Sequence, residues 1–71
     1  MPYAINGELP PAVRHHLPDH GQDIFRETFN RAWQAHEGDP RQEEAAFRIA
    51  WAAVKRAYVK SGDHWVPRAE L

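Results

Sequence analysis

A chain of 71 residues predicts a single domain over residues 1–71 and is too small for a multidomain enzyme. Its 42% hydrophobic and 11% aromatic content is enough for one core and excludes extensive disorder, while nine Lys and Arg against ten Asp and Glu exclude the strong overall positive field of a dedicated duplex-binding protein. Cysteine is absent, which excludes disulfides, a thiolate nucleophile and Cys-based zinc or iron–sulfur centres, and makes the cytoplasm the expected compartment.

Residues 1–4 carry neither the basic nor the apolar region of an export signal. Tyr3 and Ile5 precede an Asn6-Gly7 turn signal and the Pro10-Pro11 pair, which predicts extended chain and then a bend. Pro11 suits the first position of a helix, so Pro11 to His16 forms a short first helix that Leu17-Pro18 interrupts. Pro18, Asp19 and Asp23 open a second helix that runs to about Glu37 and stops at Gly38. Phe25, Phe29 and Trp33 recur at i, i+4 and i+8 as its apolar face.

Asp39-Pro40-Arg41-Gln42 offers an N-cap, a proline at the first helical position and a glutamine able to close a capping box, which predicts a third helix. That helix should run to Lys60, with Ser61-Gly62 as its stop. Glu43 and Glu44 in its first turn, and Lys55, Arg56 and Lys60 in its last, each complement the helix dipole. Its apolar residues, Phe47, Ile49, Ala50, Trp51, Ala53, Val54, Ala57 and Tyr58, wrap around more than half the cylinder, which predicts burial on two sides. The longest apolar run, Ile49 to Val54, falls far short of the ~20 residues that span a bilayer.

These elements predict a mainly α fold: a compact three-helix domain in which the short helix covers one side of an antiparallel pair of long helices. The expected core is Phe25, Phe29, Trp33, Phe47, Val54 and Tyr58. Tyr3 to Ile5 and Trp65-Val66 are the remaining extended apolar pieces, predicting a tiny two-stranded antiparallel pairing of the termini. Asn30, an amide on the helix that bears the core, is expected to bond a nearby turn backbone, since buried amides need partners.

The segments Leu9 to Trp33 and Ile49 to Trp65 together resemble the ChaB family of small bacterial proteins, catalogued as cation transport regulators. The resemblance rests on Leu9-Pro10, Leu17-Pro18, Gln22-Asp23-Ile24, Phe29-Asn30 and Ala32-Trp33, then Ala50-Trp51-Ala52-Ala53-Val54-Lys55 with Tyr58 and Lys60. Gly21 and Thr28 depart from the family's usual alanine, and the connection between the long helices is shorter than in some members. The resemblance implies a helical fold with a small strand pairing and a role in regulating a calcium or sodium/proton antiporter; a fold likeness does not itself supply a site.

Read as chemistry, the residues offer few sites. Asp19, His20, Asp23 and Glu27 have helical-turn spacing, but an EF-hand loop would need glycine at its sixth position, where Ile24 stands; an acidic first turn and a Glu27–Arg31 pair account for them, and no metal is expected. His15, His16, His20, His36 and His64 have no H-x-x-x-H within one uninterrupted helix, so they read as surface or boundary residues, with a pH-sensing role conceivable because imidazole titrates near neutrality. Ser61 and Thr28 are the only hydroxyl nucleophiles besides tyrosine and have ordinary structural places, so neither catalysis nor a cofactor is expected.

The remaining candidate is an interaction patch of Arg48, Lys55, Arg56 and Lys60. Residues 38–60 carry five basic and three acidic side chains, against two and four in residues 18–37. Such a patch could meet the acidic loops of an antiporter. Alternatively, with Tyr58 or Trp65 as stacking groups, it could make a small nucleic-acid-binding module; dipole complementation alone also explains it.

Overall fold

The computed structural model describes residues 2–70. A single 3₁₀ turn at Asn6–Glu8 leads into helix α1 (Pro11–His16), followed by α2 (Asp19–Ala35) and α3 (Gln42–Ala57). Strands β1 (Tyr58–Ser61) and β2 (His64–Pro67) then form an antiparallel hairpin, and a second 3₁₀ turn spans Arg68–Glu70.

Proline and glutamine shape the joint between α1 and α2. The Pro10 carbonyl accepts the amides of Val13 and Arg14 (2.9 and 3.1 Å), while the Leu17 amide closes the last turn on Val13 (3.2 Å). Pro18 cannot continue that helix, having no N–H to donate. The Gln22 side-chain amide reaches back across the break, donating to the carbonyls of Leu17 (2.9 Å) and Arg14 (3.2 Å). Two carbonyls that α1 leaves unpaired are thus satisfied from the first turn of α2.

The turn between α2 and α3 depends on Gly38, whose φ of +87° a side chain would strain. The expected capping box does not form. Asp39 Oδ1 accepts the Arg41 amide (2.8 Å), but Gln42 Nε2 donates instead to the Trp33 carbonyl (2.7 Å), tying the start of α3 to the end of α2. The glutamine thus satisfies a terminal carbonyl of the neighbouring helix rather than an amide of its own.

Helix α3 ends a turn earlier than its charge pattern predicts. Tyr58 takes extended dihedrals (φ −131°, ψ 157°) while its amide still bonds Val54. Residues 58–61 then pair with 64–67 in the register Tyr58↔Pro67, Val59↔Val66, Lys60↔Trp65 and Ser61↔His64. The two-stranded sheet therefore exists, but its strands are sequence neighbours and not the two termini. Gly62, at φ +64°, occupies the first central position of the two-residue turn, the place where a type II′ hairpin requires glycine. The Arg68 Nε–H then returns to the Lys55 carbonyl (2.8 Å) and satisfies an unpaired acceptor at the end of α3.

The core gathers Leu9, Val13 and Leu17 from around α1, Phe25, Phe29 and Ala32 from α2, Ala46, Ala50 and Val54 from α3, and Tyr58. The fully buried contribution of α3 is small, Ala46, Ala50 and Val54, beside the large Phe25 and Phe29 rings of α2. Of the predicted core, Phe25, Phe29, Val54 and Tyr58 are buried, whereas Trp33 and Phe47 are half-buried against it. Phe47 meets Phe29 edge-on (centroids 4.9 Å, 71°), and Trp51 meets Phe25 in the same way (5.1 Å, 70°). Trp65 of the hairpin stacks on Trp51 (5.5 Å, 30°) and thereby fastens the sheet to α3.

The N-terminal segment crosses α2 without joining any sheet. Asn30, the buried polar residue of the core, donates its Nδ2 to the Tyr3 carbonyl (2.7 Å) and accepts the Tyr3 amide at Oδ1 (3.2 Å). Its partner is therefore chain 27 residues away rather than a nearby turn. The Tyr3 ring packs on Phe29 (4.9 Å). Further along, Asn6 donates to Asp23 Oδ1 (2.7 Å) and accepts from Arg26 Nε (2.7 Å), bridging the Asp23–Arg26 ion pair (3.7 Å). This pair, and not Glu27 with Arg31, is the ion pair found on α2 among the described residues.

Candidate functional site

The four basic candidates are all exposed, yet the fold divides them. Arg48 and Lys55, seven residues apart on α3, share a helix stripe about 10 Å long. Arg48 lies toward the α2–α3 turn, beside a depression of mixed charge that it lines with His36, Asp39, Arg41, Glu44 and Ala45. Lys55 and Arg56 close α3, and Lys60 follows on β1 rather than on the helix. In that register Lys60 stands opposite Trp65, and alternation along the strand puts it on the same sheet face as Tyr58.

Arg68 completes this end of the molecule. Its bond to the Lys55 carbonyl holds a further guanidinium beside Lys55 and Arg56. Local sequence gives no sign of it, because the contact depends on the hairpin reversing the chain. Lys55, Arg56, Lys60 and Arg68 thus form the basic end, with Arg48 apart from it.

Burial removes one proposed stacking group. Tyr58 is 4% exposed and cannot offer its face to a base. Trp65 is half-buried and already stacked on Trp51, so part of its surface remains open.

The carboxylates and imidazoles are dispersed. Asp23 is engaged by Asn6 and Arg26, and the His20 ring lies 6.4 Å from that of Tyr58. His36 Nδ1 sits 3.0 Å from the Ala32 carbonyl at the end of α2, and His64 sits 3.4 Å from Asp63 at the tip of the hairpin. His15 is exposed and His16 half-buried at the end of α1. Among the described residues no three His, Asp or Glu side chains converge as metal ligands would. Thr28 is half-buried within α2, and Ser61 is exposed at the end of β1.

At the opposite end lies a groove of about 370 Å³, lined by Pro2, Asn30, Trp33, Gln34, Glu37 and Gln42. Trp33 is among its lining residues, and the Trp33 ring is stacked near-parallel to Phe29 (6.0 Å, 21°). Tyr3 adjoins it, and the Tyr3 phenol is pushed above its ordinary value by burial and then by the negative charge of Glu43. The two ends differ in charge balance: Glu37, Asp39, Glu43 and Glu44 outnumber Arg41 and Arg48 around the α2–α3 turn, whereas Lys55, Arg56, Lys60 and Arg68 outnumber Asp63 where α3 meets the hairpin.

Residues 9–68 match the ChaB family model, which covers both long helices, the hairpin and the basic end. The chain belongs to the ChaB family. Relatives designated cation transport regulator ChaB in Escherichia coli strain K12 and in Shigella flexneri are each 45% identical over 69 residues, covering 89% of this chain and 91% of theirs. The ChaB solution structure determined by NMR superposes with a TM-score of 0.85 at 43% identity, covering 94% of this chain and 99% of that one. The family's helices and small sheet are therefore those of this chain. Among the described residues no helix is long and apolar enough to cross a membrane.

Proposed function

We propose that this chain regulates a cation transporter by binding it, without catalysis, from the cytoplasmic side. The target class is a calcium or sodium/proton antiporter. Similarity over nearly the whole chain, at 45% identity, to proteins designated cation transport regulators carries the reading. The exposed cluster of Lys55, Arg56, Lys60 and Arg68 supplies a surface suited to acidic segments of such a partner, since charged rims steer association.

The test is to immobilise the protein and pass over it detergent-solubilised antiporter and, in separate runs, single-stranded and duplex DNA across a salt series. Saturable antiporter binding, weakened by reversing the charge of Lys55 and Arg56 together, is the expected outcome. DNA should bind weakly and with steep salt dependence, because four cations can release counterions from only three or four phosphates. Tight DNA binding with no antiporter retention would make the chain a nucleic-acid module instead, a reading that the basic cluster supports and the burial of Tyr58 weakens.

A further inference from the structure

The groove between the ends of α2 and α3 combines features that suit one chemical class. Half-buried Trp33 brings an aromatic side chain to its lining, and the exposed carboxylate of Glu37 stands four residues on, in the turn that follows α2. The amides of Gln34 and Gln42 add polar rim, and no lysine or arginine is among the lining residues. Arg26 and Arg31 line the adjoining depression, which shares Asn30 and Gln34 with the groove, and two sources of negative charge lie on the Glu37 side. The C-terminal end of a helix carries about half a negative elementary charge, and α2 ends here. Glu43, next to Gln42, places its own charge close enough to act on Tyr3 at the groove's edge. An aromatic face beside a carboxylate attracts a cation borne on a flat or hydrocarbon stem, which describes an arginine or lysine side chain.

We propose that this groove is a docking site for an arginine or lysine side chain presented by a partner polypeptide, stacked on Trp33 and paired with Glu37. The proposal deepens the regulatory reading above and rests on it for the partner's identity. Cytoplasmic loops of membrane proteins carry an excess of Lys and Arg, so a transporter would offer this groove the side chain it fits. The basic end is then left for acidic segments of the same partner. Asn30 and Gln42 also support the site, the first by clasping Tyr3 and the second by holding the Trp33 carbonyl.

The experiment uses the full chain labelled with ¹⁵N and two blocked peptides, Gly-Arg-Gly-Arg-Gly and its counterpart with glutamate in place of arginine. With the arginine peptide, shifts should be concentrated at the Trp33 indole N–H and the backbone amides of residues 34, 37 and 42, saturating on the order of millimolar concentration. Glu37→Gln should weaken binding on the order of threefold, as for a partly exposed ion pair, and Glu37→Lys should abolish it. Equal shifts with the glutamate peptide, shifts spread over the surface, or full retention in Glu37→Lys would overturn the proposal. Antiporter capture measured on the same Glu37→Lys protein separates the two ideas. Capture undiminished, with peptide binding lost, refutes the groove as the transporter contact and leaves the regulatory reading standing. Loss of peptide binding and of capture together supports both. Peptide binding by the unsubstituted chain without any antiporter capture keeps the side-chain site and refutes the transporter as its source.

Discussion

The N-terminal segment and the C-terminal hairpin are both short pieces laid against the α2–α3 pair, yet different chemistry holds them. The hairpin is held by a backbone ladder, a two-residue turn and the Trp51–Trp65 stack, so its attachment is shared among many groups. Residues 3–6 are held by single side chains: Asn30 grips both backbone polar groups of Tyr3, and Asn6 bridges Asp23 and Arg26. A ladder tolerates most substitutions that keep its pattern. A side-chain clasp fails with one residue.

The most damaging substitution should be Phe29→Ala, because this ring lies beneath both Tyr3 and Phe47 at the common base of the fold. It should cost about 3 to 5 kcal/mol, most of the stability of a domain this size, and urea unfolding followed by circular dichroism reads it directly. Asn30→Leu separates the two regions. Leaving the Tyr3 amide and carbonyl unpaired should cost about 1 to 3 kcal/mol, and amide exchange should accelerate at residues 3–6 while protection across residues 58–67 is retained. Equal loss of protection in both regions would show that the segment and the hairpin open as one unit.

Gly62→Ala tests the converse. A side chain at φ +64° should cost on the order of 1 kcal/mol, loosening the hairpin in exchange experiments while the N-terminal segment stays protected. The smallest effect concerns pH. The Tyr3 phenol has its pKa raised on folding, first by burial and then by Glu43, so the folded state holds this proton more tightly than the unfolded chain. That contribution is complete below the ordinary tyrosine value near 10 and is lost as pH rises through the raised one. Unfolding midpoints above pH 10 should therefore fall more steeply for the unsubstituted protein than for Tyr3→Phe.

Much of the helical frame was legible because its signals are local. Pro11, the Leu17-Pro18 break and Gly38 set boundaries that the structure keeps. The end of α3 was misread for an instructive reason. Lys55, Arg56 and Lys60 complement a helix dipole so well that the apolar and basic pattern runs on past Ala57. The competing signal, Gly62-Asp63 between the β-prone Tyr58-Val59 and Trp65-Val66, also lies in the sequence and is decided by the hairpin's packing through Trp65.

Leu9, Val13 and Leu17 escaped the predicted core because Pro10 and Pro18 break the periodicity that would have marked them as one face. Asn30 was recognisable as an amide needing partners, but nothing local points to Tyr3. Neither Arg68 at the basic end nor the groove at the acidic end has a motif. Gln42 joins Asn30, Trp33, Gln34 and Glu37 only once the chain has turned between α2 and α3, and Pro2 only once Tyr3 has docked on Asn30.

The clasp between Tyr3 and Asn30 also orders events in time. Helices α2 and α3, and strands β1 and β2, are each neighbours along the chain, so their contacts close short loops and form quickly. Tyr3 must wait for a partner 27 residues further on, and that partner is presented only when α2 is already helical. The segment precedes α2 in the chain yet is expected to dock after it, so protection of the Tyr3 amide should appear only once the helix beneath it has formed.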